Sequence, residues 1–316
     1  MGEFELIEQY FKRPSRRAVL GVGDDCALLQ PSPGMQLAVS TDMLVSGQHF
    51  FPDVNPFTLG HKALAVNLSD LAACGAQPLA FTLALALPAP DTQWLSAFSQ
   101  GLFALADQYD CELIGGDTTR GPLTISITVF GEVPPGQALL RSGACVGDDI
   151  YVSGTLGDAR LGLEALQAKI QLSADQLFQA RFRLEQPTPR IALGLALRGI
   201  ATSTIDVSDG LLGDLQHVLD SSKVGATLYT QALSELMINP GHSMHYVLAG
   251  GDDYELVFTA PPSMRSAVTH AAQHSATPIR CIGTIESTPR VRLLDANGSE
   301  VNGRFVSFDH FANVNI

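Results

Sequence analysis

Phe4, Ile7, Tyr10 and Phe11 recur at three- and four-residue spacing, and that period predicts a helix from Glu3 to Phe11. The next apolar run, Leu37-Ala38-Val39, predicts a short strand leading into Ser40-Thr41-Asp42. Asn55-Pro56 supplies a capping side chain and a proline suited to a first helical turn. A helix is therefore predicted from there to Cys74, with Gly75 as its stop. Leu79 to Leu87 reads as a buried strand, and Asp91 as the cap of a helix ending near Tyr109. Glu112-Leu113-Ile114 reads as a strand delivering Gly115-Gly116-Asp117, and Leu123 to Val133 as another.

Pro134-Pro135-Gly136 is the clearest break in the pattern, and a domain boundary is placed just after it, separating residues 1–136 from 137–316. Beyond it, strands are predicted at Ile150-Tyr151-Val152, up to Ile205, from Tyr254 to Phe258 and from Ile279 to Ile285. Helices are predicted from Asp158 to Ala168, Ala174 to Leu184 and Leu211 to Leu219, with Gln186-Pro187-Thr188-Pro189 as a loop. Strands and helices alternate in both parts. That predicts a two-domain α/β protein with mixed layers rather than separate all-α and all-β parts.

The 316 residues are 46% hydrophobic and 16% charged, which fits a globular chain with an ample core. A net charge of -13 disfavours nonspecific nucleic-acid binding, because no basic patch can release counterions. An acidic protein that binds phosphates needs metal ions at the site. The five cysteines at 26, 74, 111, 145 and 281 form no Cys-x-x-Cys pair and are expected as free thiols of a reducing cytosol. No apolar run approaches the ~20 residues needed to span a bilayer. Met1-Gly2-Glu3-Phe4-Glu5 lacks the basic-then-apolar pattern of a signal peptide, so a cytoplasmic protein is expected.

Acids cluster six times: Gly23-Asp24-Asp25, Ser40-Thr41-Asp42, Asn67-Leu68-Ser69-Asp70, Gly115-Gly116-Asp117, Asp206-Val207-Ser208-Asp209-Gly210 and Gly251-Asp252-Asp253. Each has an ordinary reading, such as a polar turn for Asp24-Asp25 or a helix cap for Asp42. Asp70 fits those readings less well, since a lone carboxylate is costly to bury in an apolar helix. Asp117 follows two glycines, which let backbone approach a ligand closely. Asp206 and Asp209 are three apart across a strand-to-helix turn, where both can face the helix N-terminus at which anions gather. Most of the clusters are predicted where a strand gives way to a turn or helix, and strand ends are where α/β proteins place ligands. Carboxylates gathered there repel one another unless a hard cation neutralises them. The clusters are therefore expected to converge on a multi-magnesium phosphate site.

Other signals are weaker. Gly147-Asp148-Asp149 begins a strand rather than ending one and reads as a solvated turn. Arg141 is either a surface ion-pair partner or a fork for a phosphate. There is no Gly-x-x-x-x-Gly-Lys-Ser/Thr, and Gly21-Val22-Gly23 lacks the third glycine of a dinucleotide fingerprint. The pairs His242/His245 and His270/His274 lack a neighbouring thiolate or a zinc-protease glutamate, and read as surface histidines.

Taken together, several segments resemble the thiamine-monophosphate kinase family, within the superfamily of aminoimidazole ribonucleotide synthetase and selenophosphate synthetase. They are Gly21-Val22-Gly23-Asp24-Asp25, Ser40 to Val45 with Gly47-Gln48-His49-Phe50, Asn67 to Ala76, Gly115 to Thr118, Asp206 to Leu211, Asp252 to Leu256 and Phe308-Asp309-His310-Phe311. The resemblance covers nearly the whole chain. It implies ATP-dependent phosphorylation of thiamine monophosphate to thiamine diphosphate by direct, magnesium-assisted in-line transfer. It also implies a homodimer whose N-terminal sheets pair across the interface, with an active-site cleft completed by the C-terminal domain.

Carried over by position, Asp24, Ser40, Thr41, Asp42, Asp70, Asp117, Asp206 and Asp209 would hold several magnesium ions. The catalytic burden would fall on Asp42, Asp70, Asp117 and Asp209. ATP would meet Gly116, Asp117, Arg141 and Ser208, and the thiamine substrate would meet His49, Glu255 and Phe308. The chain departs from the family at Cys26, where alanine is usual, at Gln48 for valine and at Asp252 for glutamate. Phe308 stands where tryptophan is frequent. Two rivals remain: another ATP-dependent synthetase of the superfamily, or a binding protein for divalent ions or thiamine phosphate without turnover.

Overall fold

The computed structural model describes residues 2–238, 243–301 and 305. It forms two compact units, Met1–Leu71 with Ala76–Gly136, and Ala72–Gly75 with Gln137–Ile316.

In the N-terminal unit the chain forms helix α1 (Glu3–Tyr10), strand β1 (Gln36–Val45), helix α2 (Pro56–Cys74), strand β2 (Gln77–Leu87), helix α3 (Thr92–Gln108), and strands β3 (Glu112–Arg120) and β4 (Thr124–Val133). The capping signals act as the sequence predicts. Asp91 accepts the N–H groups of Gln93 and Trp94 at 2.9 and 3.1 Å, and Gly75 leaves α2 with φ +65°. Leu59, Leu64, Leu68 and Leu71 of α2 are at most 1% exposed. Each such burial is worth about 1.5–3 kcal/mol before entropy is counted.

The four strands lie in the order β1-β4-β2-β3. β1–β4 and β4–β2 are antiparallel, while β2 and β3 run parallel with α3 between them in the chain. Buried Ile125, Ile127 and Val129 alternate with half-buried Ser126, Thr128 and Phe130 along β4, so one face of the sheet carries the core. The structure corrects the strand-end placement of two acids. β1 does not stop at Val39, because Ser40, Thr41 and Asp42 stay laddered to Val129, Thr128 and Ile127. Asp117 likewise lies inside β3, opposite Ala84. Paired backbone keeps these polar residues extended, whatever their side-chain preference.

The C-terminal unit holds strands β5 (Asp149–Ser153), β6 (Ser203–Asp206), β7 (Gly225–Tyr229), β8 (Leu256–Ala260), β9 (Ile279–Glu286) and β10 (Val291–Leu294). Their order is β10-β7-β9-β5-β8-β6, antiparallel except for the β10–β7 pair. Helices α4 (Asp158–Leu166), α5 (Ala174–Glu185), α6 (Ile191–Ala196), α7 (Leu211–Ser222), α8 (Thr230–Ser234), α9 (Met244–Ala249) and α10 (Arg265–His274) complete the unit. Ile150, Val152, Leu161, Ile205, Leu215 and Ile282 belong to its core. Both sheets are mixed in strand direction, and most of the strands read from the apolar pattern are present. β7 and β10 escape that pattern because runs of five and four residues are too short to display a period.

The solvated turn expected at Gly147-Asp148-Asp149 is also corrected. Asp148 and Asp149 are 3% and 1% exposed. Asp148 accepts the Cys145 N–H and the Thr202 hydroxyl, and Asp149 takes both arms of Arg265 at 2.6 and 2.9 Å. The hydrogen bond from Arg265 holds the Asp149 carboxyl below its usual range. Buried acids at a strand start therefore have their partners built in. His270 and His274 are exposed on α10, while His242 lies outside the described residues. All five cysteines are free thiols. Among the described residues, no helix is long and apolar enough to cross a membrane.

Candidate active site

Asp24 and Asp117 line one cavity of about 660 Å³ in the N-terminal unit, together with Gly23, Asp25, Thr82 and Gly116. That volume is in the usual range for a small-molecule pocket. The local fold places both acids on the wall of that cavity. Val22 and Asp24 bridge across Gly23, which has φ +126°, and the Asp24 carboxylate accepts the Asp25 N–H at 2.8 Å. Gly116 has φ +146°, and a Cβ there would stand 1.8 Å from the Leu83 carbonyl oxygen. The glycine is thus required by the approach of β2 and not only by a ligand. Gly116→Ala is expected to cost about 2 kcal/mol or more through strain and displaced strands. A lowered thermal unfolding midpoint checks this, and an unchanged midpoint refutes it.

A second group sits where α2 meets β1. The Ser40 hydroxyl donates to Asp70 Oδ2 at 2.5 Å, and the Asp42 N–H donates to Asn67 Oδ1 at 3.0 Å. Asn67 is 1% exposed and is itself tied to the Ala63 carbonyl, so it pins this edge strand to the helix. Thr41 shares a 2.8 Å hydroxyl contact with Thr128. Nearby, the turn after β1 folds His49 back so that its Nδ1 accepts the Val45 N–H at 3.0 Å. With Nδ1 accepting, the remaining ring nitrogen is the one left to donate.

These two groups do not merge within the N-terminal unit. Asp42 stands opposite Ile127, Ile127 opposite Leu83, and Leu83 opposite Gly116. β1 and β3 are therefore the two sheet edges, three strand spacings or about 14 Å apart. Among the described residues, no three His, Cys, Asp or Glu side chains form a metal-holding group. Within the N-terminal unit the described acids stand as separate small sets of oxygen donors. That donor chemistry still fits magnesium, which is commonly held by one or two carboxylates plus water and substrate phosphates rather than by an all-protein cage.

In the C-terminal unit Asp206 is the last residue of β6 and is 6% exposed. The turn after it does not offer its N–H groups to an outside anion. Ser208, Asp209 and Gly210 all donate to Asp214 Oδ2, at 3.0, 3.0 and 3.2 Å. Burial, with the Asp209 charge adding to it, pushes the Asp214 carboxyl up to about 7 against the pull of those hydrogen bonds. The N–H groups of the turn leading into α7 are thus engaged within the protein. The sequence signal that marks Asp214 is an acid in the first turn of a predicted helix.

Glu255, expected to contact the thiamine substrate, is fully buried and engaged within the protein. Arg190 reaches it with Nε at 2.6 Å and Nη2 at 2.5 Å, Arg183 Nη2 at 2.7 Å, and the Ser153 hydroxyl at 2.5 Å. These contacts make it an anchor within the C-terminal unit. The preceding segment is strained, with φ of +75° at Gly251, +63° at Asp252 and +52° at Tyr254. Arg141 is exposed. Phe308 lies outside the described residues.

Residues 23–133 match the AIR synthase related protein N-terminal domain, and residues 146–296 match the AIR synthase related protein C-terminal domain. Fold and sequence thus define the class, a two-domain AIR synthase related protein. Across 323 aligned residues the chain is 48% identical to thiamine-monophosphate kinase of Salmonella typhimurium, covering 98% of each protein. It superposes with a TM-score of 0.82 on the crystal structure of thiamine-monophosphate kinase from Stenotrophomonas maltophilia, at 45% identity over 94% of this chain and 96% of that one. AaThiL complexed with AMPPCP and TMP gives a TM-score of 0.77 at 29% identity, covering 89% of each chain. The chain belongs to the thiamine-monophosphate kinase family.

Proposed function

We propose that this chain, acting in the cytoplasm, transfers the γ-phosphoryl group of ATP onto thiamine monophosphate by direct in-line displacement, giving thiamine diphosphate. The observation that carries the proposal is the 48% identity to thiamine-monophosphate kinases along the full length. The acceptor is a phosphate monoester already ionised near neutral pH, so no general base is required. The barrier is the approach of one polyanion to another, and positioning with charge neutralisation carries the catalysis. When bound, magnesium ions supply that neutralisation and hold the phosphate oxygens in line.

The residues assigned to magnesium are Asp24, Ser40, Thr41, Asp42, Asp70, Asp117, Asp206 and Asp209. Gly116, Arg141 and Ser208 are assigned to ATP, and His49 and Phe308 to the thiamine substrate. The cavity that joins Asp24 to Asp117 and the Ser40–Asp70 pair support the N-terminal assignments. A homodimer joined through N-terminal sheet edges is part of the proposal. Leu37, Val39 and Met43 are exposed at alternate positions of the edge strand β1, which suits a second copy.

ADP release with ATP, magnesium and thiamine monophosphate tests the activity, and a panel of other acceptors separates it from the synthetase rival. No ADP in the complete mixture would refute turnover and favour binding alone. Sedimentation of the same sample at the mass of one chain would remove the dimer.

A further inference from the structure

The turn after β6 keeps its own backbone donors inside the protein. Three successive N–H groups, from Ser208, Asp209 and Gly210, converge on a single oxygen of Asp214. Successive N–H groups converging in a turn, here the one leading into α7, are the arrangement that elsewhere receives an anion. Here a carboxylate from the chain itself, 4% exposed, fills the position. The opposite side of the turn is fixed too. The Ser208 carbonyl accepts the Asp252 N–H at 2.7 Å, the Val207 carbonyl accepts the Tyr254 N–H at 2.8 Å, and the Val207 N–H donates to the Glu255 carbonyl at 2.8 Å. Gly210 has φ +115°, and a Cβ there would lie 2.8 Å from Ala249 Cα, so the turn packs closely against α9 on that side. With these donors engaged, the turn offers no backbone nest to an anion, and the carboxylates of Asp206 and Asp209 are groups of the kind that suit a cation.

We propose that Asp214 is a positioning residue of the phosphoryl-transfer site. By binding the three N–H groups of the turn before α7, it closes that turn to an anion and sets Asp206 and Asp209 for magnesium. This deepens the functional proposal above and rests on it. Residues that orient metal ligands from behind typically change metal affinity or activity 10–100-fold when replaced.

The test uses full-length Asp214→Ala and Asp214→Asn, with ADP release followed across magnesium concentrations. In Asp214→Ala the half-saturating magnesium concentration is expected to rise about 10–100-fold, while KM for thiamine monophosphate stays within about twofold. Asp214→Asn keeps an oxygen acceptor in place and is expected to recover most of the shift. Hydrogen exchange read by mass spectrometry should quicken in the segment spanning Ser208 to Gly210 in the alanine variant. Wild-type magnesium dependence in both variants overturns the proposal. So does a loss of activity that is equal at all magnesium concentrations and tracks the loss of folded protein. If the unaltered chain forms no ADP, the functional reading fails on its own, and manganese binding then decides the positioning role: equal affinity in wild type and Asp214→Ala overturns it.

Discussion

Turnover by the Asp42→Asn variant is expected to fall about a thousandfold or more, equivalent to roughly 4 kcal/mol of transition-state stabilisation. Its thermal unfolding should stay close to that of the unaltered chain. The two halves of this expectation come from different atoms of the same residue. The fold uses the Asp42 backbone, whose N–H is bound by Asn67 and whose strand is laddered to Ile127. Asparagine keeps both. The proposed chemistry uses the carboxylate charge, and asparagine supplies a carbonyl oxygen with no charge to set against a cation. Where attacking and leaving groups are both polyanions, neutralisation is the main contribution the protein makes. Initial rates of ADP formation at saturating magnesium check the first half, and a melting curve checks the second. A variant that turns over like the unaltered chain would remove Asp42 from the site.

The parts of the fold written locally were legible in the sequence. Asp91 before a helical period, and Gly75 after one, are cap signals that act within a few residues, and the structure uses both. What local pattern could not supply was the consequence of pairing. Ser40, Thr41 and Asp42 look like a turn until β4 is laid beside them, and they then continue a ten-residue strand. Gly116 illustrates a second limit. A glycine beside an acid invites a ligand-based reading, yet the atom that excludes a Cβ is the Leu83 carbonyl oxygen of the neighbouring strand. The candidate site divides in the same way. Motifs named its acids residue by residue, but a list of acids does not say which share a sheet edge. Asp24 and Asp117 line one cavity, Ser40 and Asp70 meet at the far edge, and strand order separates them.

Replacing Glu255 is expected to cost about 3–5 kcal/mol of stability, the usual consequence of removing one partner from a buried ion pair. The side chain is fully buried and carries no exposed edge for a ligand. The side chains of Arg183 and Arg190, 10% and 16% exposed, both end on it. Without the carboxylate, two guanidinium groups are left facing each other in a poorly solvated place. The surroundings offer little relief, because burial pushes the nearby carboxyls of Asp158 and Asp253 upward, towards the neutral form. Glu255→Gln keeps the volume and one acceptor oxygen but removes the charge, so its loss should be electrostatic rather than a packing defect. The measurement is the thermal unfolding midpoint of Glu255→Gln, with KM for thiamine monophosphate measured on the protein that remains folded. A large drop in the midpoint with an unchanged KM is the expected result. An unchanged midpoint with a KM raised tenfold or more would instead return Glu255 to the substrate, since only a side chain that touches the ligand could move one without the other.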